Sequence, residues 1–222
     1  MTPLARQLML PFPHAPGFAA ADFLVAPSNE AAMAWIARPR EWPEHRLLLW
    51  GQAGCGKTHL LHLWADRVAG TLLTGPTLRG LPMLPEAGDI AVDDADLVAE
   101  EAALFHLLNA AREAGRSVLL SARTPPARWA IGLPDLASRL RAVTAIEIMP
   151  PEESLLRALL ARLLADRQLA VPAALQDWLL LRLPRTPAAL REAVARLDAA
   201  GSRIDRALAA DVVAGLAQPE EA

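Results

Sequence analysis

Eight consecutive residues, Gly51-Gln52-Ala53-Gly54-Cys55-Gly56-Lys57-Thr58, place glycines, a lysine and a hydroxyl in the order G-x-x-x-x-G-K-T. Glycines allow successive backbone N–H groups to curl around a phosphate, because no side chain stands between main chain and anion. A helix starting at Lys57 points the positive end of its dipole at the same place. In that setting Lys57 bridges the β- and γ-phosphates and Thr58 offers its hydroxyl to Mg²⁺. Downstream, Ile90-Ala91-Val92-Asp93-Asp94 brings two carboxylates to the end of an apolar run. Asp93 is placed to hold Mg²⁺ through water, and Asp94 to polarise an attacking water. The spacing therefore predicts a site for a nucleotide, ADP or ATP, with Mg²⁺.

Composition sharpens this reading. Of the 22 basic residues, 21 are arginine, and Lys57 is the single lysine. A sequence that uses arginine almost everywhere retains lysine where a compact ammonium is needed in place of a planar fork. Other residues of chemical interest read more plainly. Cys55 stands at a helix N-terminus, where a thiol can acidify, but reads as a tolerated loop residue. His59 and His62 lie three apart on the expected helix with no partner ligand set, so metal binding there is not expected. Trp50 and Trp64 read as core, and Trp129 as core or interface.

The elements that must position these residues follow from periodicity and breakers. Short apolar runs at Arg46 to Trp50, Thr71 to Thr74, Asp89 to Val92, Ser117 to Ala122 and Ala145 to Met149 predict five strands. Helices are expected at Asn29 to Ala37, Lys57 to Ala69 and Glu100 to Ala114, the last stopped by Gly115. Strands alternating with helices imply a parallel sheet covered on both faces. From Pro150 onward no strand is expected. Four helices are read there, to about Arg167 and then over Val171 to Leu183, Thr186 to Ala200 and Ile204 to Leu216. Thr186-Pro187 suggests an N-cap, and Ser202 with Asp205 a capping box. Three units result: an extended arm over 1–17, an α/β core over 18–149, and a helical unit over 150–222 with frayed C-terminal residues.

The 222 residues carry a net charge of −3, with 53% hydrophobic and 21% charged residues. That balance can bury a sizeable core and does not resemble disorder. No basic run tracks along the chain, which argues against extended non-specific nucleic-acid binding and leaves room only for a small local patch. One cysteine precludes an internal disulfide, and neither a secretory leader nor a membrane-length apolar run is visible. The expectation is a cytoplasmic protein with no membrane association.

These motifs together resemble the AAA+ ATPases, and within them the DnaA-related branch, in which paired aspartates close the third strand. The resemblance spans roughly residues 18–216. It implies an α/β P-loop core with a parallel sheet, followed by a small all-helical lid, with nucleotide between them. Pro27-Ser28-Asn29 resembles the stretch that packs near adenine in that branch, which assigns Asn29 to the nucleotide site. Val118 to Pro126 resembles the sensor-1 strand and its turn, implicating Ser121, although Ala122 stands where a polar sensor side chain is expected. The segment Leu136-Ala137-Ser138-Arg139-Leu140 resembles the one carrying the arginine finger of that branch, and so gives Arg139 a catalytic role in trans. Ala188 falls at the sensor-2 arginine position, with Arg185 and Arg191 one turn either way, so slow or absent turnover is implied.

The arm adds a partner. Gln7-Leu8-Met9-Leu10-Pro11-Phe12 is similar to the short motif by which proteins grip the bacterial sliding clamp, the β subunit of DNA polymerase III. Gln7 would supply amide hydrogen bonds, while Leu8, Leu10 and Phe12 fill apolar pockets. No room for a sequence-specific DNA-binding helix-turn-helix is seen after Leu216. Arm plus bare module is thus similar to members of the branch that regulate DnaA, the initiator, with a homo-oligomer as a further option. A helicase- or transposase-loading ATPase and a small-molecule kinase are the competing readings.

Overall fold

The computed structural model describes residues 23–81, 88–201 and 204–217. Five parallel strands form one sheet: β1 (Arg46–Trp50), β2 (Thr71–Thr74), β3 (Ile90–Asp93), β4 (Val118–Ala122) and β5 (Thr144–Glu147). Their order across the sheet is β2-β3-β4-β1-β5. The first strand therefore lies between β4 and β5, with Leu48 opposite both Leu120 and Ala145.

Alternation decides which residue faces which layer, since successive strand side chains point to opposite sides. Leu48, Ile90, Val92, Val118 and Leu120 join one buried cluster with α3 (Glu101–Glu113) and α4 (Pro134–Arg141). Leu47, Leu49, Ala91 and Leu119 face the other way, onto α1 (Glu30–Ile36) and α2 (Lys57–Arg67). Both faces are covered, which is why these strands read as continuous apolar runs. Trp64 is fully buried in the second layer, stacked on Trp42 at 5.3 Å between ring centroids. Trp50 and Trp129 pack against the first layer, and the Trp129 indole N–H donates to the Thr124 carbonyl at 2.8 Å.

The last four helices are α5 (Glu153–Asp166), α6 (Ala173–Leu180), α7 (Pro187–Ala199) and α8 (Arg206–Ala217). They enclose a core of their own, with Leu160, Leu179, Ala193 and Val194 at its centre. Element bounds differ from the expected ones by one to three residues, and β5 begins at Thr144 and ends at Glu147. Ile148 and Met149 leave that ladder to donate instead to the Trp50 and Ser28 carbonyls, tying the sheet edge to the entry of α1. At the start of α8 the carboxylate of Asp205 accepts from the N–H groups of Ala207 and Leu208, each at 3.0 Å. That aspartate is itself the cap, and Ser202 lies outside the described residues. Among the described residues no helix is long and apolar enough to cross a membrane.

Candidate nucleotide site

The glycine-rich loop leaves the C-terminal end of β1, at the point where its neighbours β4 and β5 lie on either side. Open parallel sheets leave a crevice at such a switch point. Gly51 admits no Cβ, which would strike the Ile148 carbonyl oxygen. Gly54 sits at φ +78°, and a Cβ there would lie 2.9 Å from the Cβ of Thr186 in the lid. The loop is thus pressed between the sheet below and the start of α7 above. Neither α2 nor α7 has an acidic residue in its first turn, whereas α3, α4 and α5 carry Glu101, Asp135 and Glu153 there. Two helix N-termini lacking compensating acids meet at this loop, which makes the region favourable to negative charge.

Lys57 is buried, and its ammonium donates to the carbonyls of Gly51 at 2.8 Å and Gln52 at 3.0 Å. The loop's own carbonyls therefore hold the side chain across the cradle and keep it away from bulk water. Thr58 Oγ1 donates to Asp93 Oδ2 at 2.7 Å. The Ser121 hydroxyl, fully buried on β4, donates to Asp93 Oδ1 in a short hydrogen bond and accepts from the Asp94 N–H at 3.0 Å. Asp93 is fixed at both carboxylate oxygens by hydroxyls from two different elements. A hydroxyl and a carboxylate beside a phosphate cradle are oxygen donors of the kind that suits Mg²⁺, which is bound through few protein ligands and several waters. The residues fit the ion.

Asp94 follows in the left-handed region, at φ 50° and ψ 49°. Burial, and then the neighbouring Asp93 charge, push its carboxyl above the usual carboxylate range. Cys55 is buried beneath the loop, and its thiol is pushed up by that burial despite the nearby Lys57. An activated thiol is therefore not what this position provides.

Asn29 is close by in chain terms but spent locally. Its Oδ1 accepts from the Ala26 N–H and its Nδ2 donates to the Leu24 carbonyl, both at 3.0 Å. Its amide shapes the turn that presents Phe23, whose ring lies 3.8 Å from a Cβ built on Gly56 and edge-on to His59 at 5.3 Å. His59 is also 3.2 Å from Arg191 of α7. Phe23, His59, Thr186 and Arg191 form the seam between loop, entry segment and lid. None was singled out for such a seam: Thr186 was read as a helix cap, Arg191 as a sensor-2 replacement and His59 as a non-ligand, while Phe23 carried no signal. Arg191, one candidate replacement for a sensor-2 arginine, is thus engaged with the P-loop helix, while Arg185 is exposed beside Thr186.

Arg139 is not brought to this site. It lies five residues before Thr144, and β5 enters the sheet there beside Leu47, at the N-terminal end of β1. Its guanidinium sits 5.0 Å over the Phe105 ring and lowers the pKa of Arg46, second only to burial in that effect. The glycine loop follows the opposite end of β1. A strand of five residues separates the two by roughly 13 Å of rise alone. Gln7, Leu8, Leu10 and Phe12, the expected clamp contacts, lie outside the described residues.

No family model matches the chain. Solved structures do. Domain III of the Thermotoga maritima replication initiation protein DnaA is 18% identical, covers 94% of this chain and 100% of that domain, and superposes with a TM-score of 0.75. AMPPCP-bound DnaA from Aquifex aeolicus is 16% identical over 82% of this chain and 65% of its own length, with a TM-score of 0.67. The Thermotoga maritima RuvB Holliday junction branch migration motor is 19% identical over 85% of this chain and 67% of its own, at 0.63. The chain thus spans about two thirds of these longer proteins. The fold is that of the AAA+ ATPases, a parallel α/β core followed by a helical lid.

Proposed function

From an AAA+ fold with this loop geometry, we propose that the chain binds ADP or ATP with Mg²⁺ and regulates a second AAA+ ATPase, the initiator DnaA. The observation that carries the nucleotide reading is the convergence of Thr58 and Ser121 on the two oxygens of Asp93, beside a buried Lys57. Gly51 to Gly56 would wrap the phosphates with backbone N–H groups, with Gln52, Ala53 and Cys55 contributing main chain only. Mg²⁺, when bound at Thr58 and Asp93, supplies positive charge against the phosphate oxygens. Ser121 keeps Asp93 oriented, and Asp94 stands next in line to polarise a water. Ala122 is fully buried where a polar sensor is expected, and the Ser121 hydroxyl is already committed to Asp93. Weak turnover follows, so the nucleotide serves as a brace between core and lid.

The trans role rests on Arg139. Held at the far end of β1 from its own glycine loop, this side chain has no phosphate to reach in its own chain. A finger delivered to a neighbour acts from such a position, where it stabilises charge developing on the transferring phosphoryl group. With the arm motif at Gln7 to Phe12 tethering it to the sliding clamp, the module resembles the Hda regulators, which inactivate DnaA after initiation.

The test is a reconstituted mixture of DnaA, clamp-loaded DNA and this protein, read by ATP hydrolysis and by fluorescent-nucleotide binding. Arg139→Ala should bind nucleotide normally and lose stimulation of DnaA; better-measured fingers contribute on the order of 10³–10⁵ in rate. Arg141→Ala, two residues on, should retain both. Lys57→Ala should lose nucleotide binding. Undiminished stimulation by Arg139→Ala removes the trans mechanism, whereas wild-type nucleotide affinity in Lys57→Ala removes the P-loop assignment.

A further inference from the structure

The helical lid carries a cluster that the nucleotide site does not use. Trp178 on α6 is half-buried, with the guanidinium of Arg182 4.4 Å from its ring centre and that of Arg206 at 5.6 Å. Arg182 and Arg206 are exposed, and Leu181 beside Arg182 is 78% exposed. Among the described residues no carboxylate lies within ion-pair distance of either, whereas Arg38 pairs with Glu41, Arg79 with Glu100 and Arg196 with Glu192. Exposed Arg40, Arg123, Arg128 and Arg141 are likewise without an ion pair, but only Arg182 and Arg206 share one indole. The two acids adjacent in sequence are already engaged. Asp177 pairs with Arg157, and Asp205 accepts the first N–H groups of α8. In a chain of net charge −3, two cations are held over one ring with no ion-paired acid among the described residues.

Stacking on an indole fixes a guanidinium plane and lowers the entropy lost when it meets an anion. Two like charges sharing one ring also repel, and an anion lying across both relieves that repulsion. Arginine as a residue type carries no weight here, since it supplies nearly every basic position of this chain. The weight lies in the aromatic platform that the two guanidiniums share.

We propose that this face of the lid binds the phosphodiester backbone of nucleic acid without reading its sequence. A nucleic-acid strand repeats its charge every ~3.4 Å, so any register places phosphates against cations spread over a helical face. An acidic peptide needs a groove or an open strand edge to receive its main chain, and α6 and α8 present neither. Two guanidiniums already lie over the half-buried indole, so the backbone phosphates and not the bases are the recognised group. The expected affinity is weak and salt-sensitive, in the non-specific range of about 10⁻⁴–10⁻⁶ M at physiological salt. This inference does not depend on the nucleotide reading or on DnaA.

The experiment is fluorescence anisotropy with the full chain and a labelled mixed-sequence oligonucleotide, single-stranded in one arm and duplex in the other, over a salt series. Arg182→Gln/Arg206→Gln should weaken binding about tenfold and flatten the plot of log K against log salt by about 0.7–0.9 per charge removed. Arg38→Gln/Arg79→Gln removes the same charge from paired arginines elsewhere and should leave both readouts at the wild-type level. Equal losses in both double variants would reduce the effect to net charge and overturn the proposal, as would an absence of wild-type binding at low salt. Displacement by polyglutamate at equal charge concentration would assign the face to an acidic protein instead.

Discussion

Asp94 holds a backbone conformation that aspartate and asparagine tolerate better than other non-glycine residues, and its carboxyl is raised by burial and by Asp93 against the opposing pull of Arg123 and Lys57. The folded chain therefore keeps this proton over a pH interval in which the unfolded chain has lost it. Ionising Asp94 costs stability as pH rises through that interval, and the cost persists above it. Asp94→Asn should accordingly stabilise the protein at neutral pH, with the gain shrinking as pH falls through the interval above the ordinary aspartate range and gone once pH is below it. Urea unfolding at several pH values measures this; a stability difference that does not vary with pH would show that Asp94 is not perturbed in the folded state. At this scale Lys57, Thr58 and Asp93 were legible because the chemistry of a phosphate loop imposes residue types at fixed spacing. Asn29 was legible as a position but not as a role. Its amide closes its own turn, a local bond that the sequence did not announce.

Among the elements, α7 is the one that joins lid to loop. Thr186 caps it by accepting from the Ala189 N–H at 3.2 Å, while its Cβ and Cγ2 press on Gly54. The two jobs use different atoms and can be separated. Thr186→Val keeps the methyl contact and loses the cap, and should cost about 1 kcal/mol in unfolding free energy. Thr186→Ser keeps the cap and loses the methyl, and should leave stability intact while speeding release of a fluorescent nucleotide. Equal behaviour of the two variants in both assays would show that cap and contact are not distinct. The cap was readable in advance because Thr-Pro at a helix start is a local preference. Its contact with Gly54 was not, since 132 residues of chain separate the two positions and only tertiary packing joins them. The same division applies to the sheet. Each strand announced itself as an apolar run, but the order β2-β3-β4-β1-β5 is a set of non-local pairings that periodicity does not encode.

Considered as a whole, the molecule separates its proposed functions onto different units. The glycine loop and lid would hold nucleotide, the edge near Arg139 would face a neighbour, and residues 1–17 would reach the clamp. Units without shared contacts have nearly independent energetics. Deleting residues 1–13 should therefore abolish association with the sliding clamp and leave nucleotide affinity within error of the wild type, because the cut stops short of Phe23 and its contacts with Gly56 and His59. Pull-down with purified clamp beside a nucleotide titration tests both halves, and normal clamp binding by the truncated chain would locate that contact elsewhere.

The burial of Lys57, only 7% exposed and the chain's single lysine, has a consequence for how the folded protein meets reactive chemistry. Acylating reagents, aldehydes and the enzymes that attach acetyl or ubiquitin groups to lysine all require an amine they can approach. The folded surface of this chain offers none on a side chain. A modified Lys57 therefore records that the loop had opened before the reagent arrived.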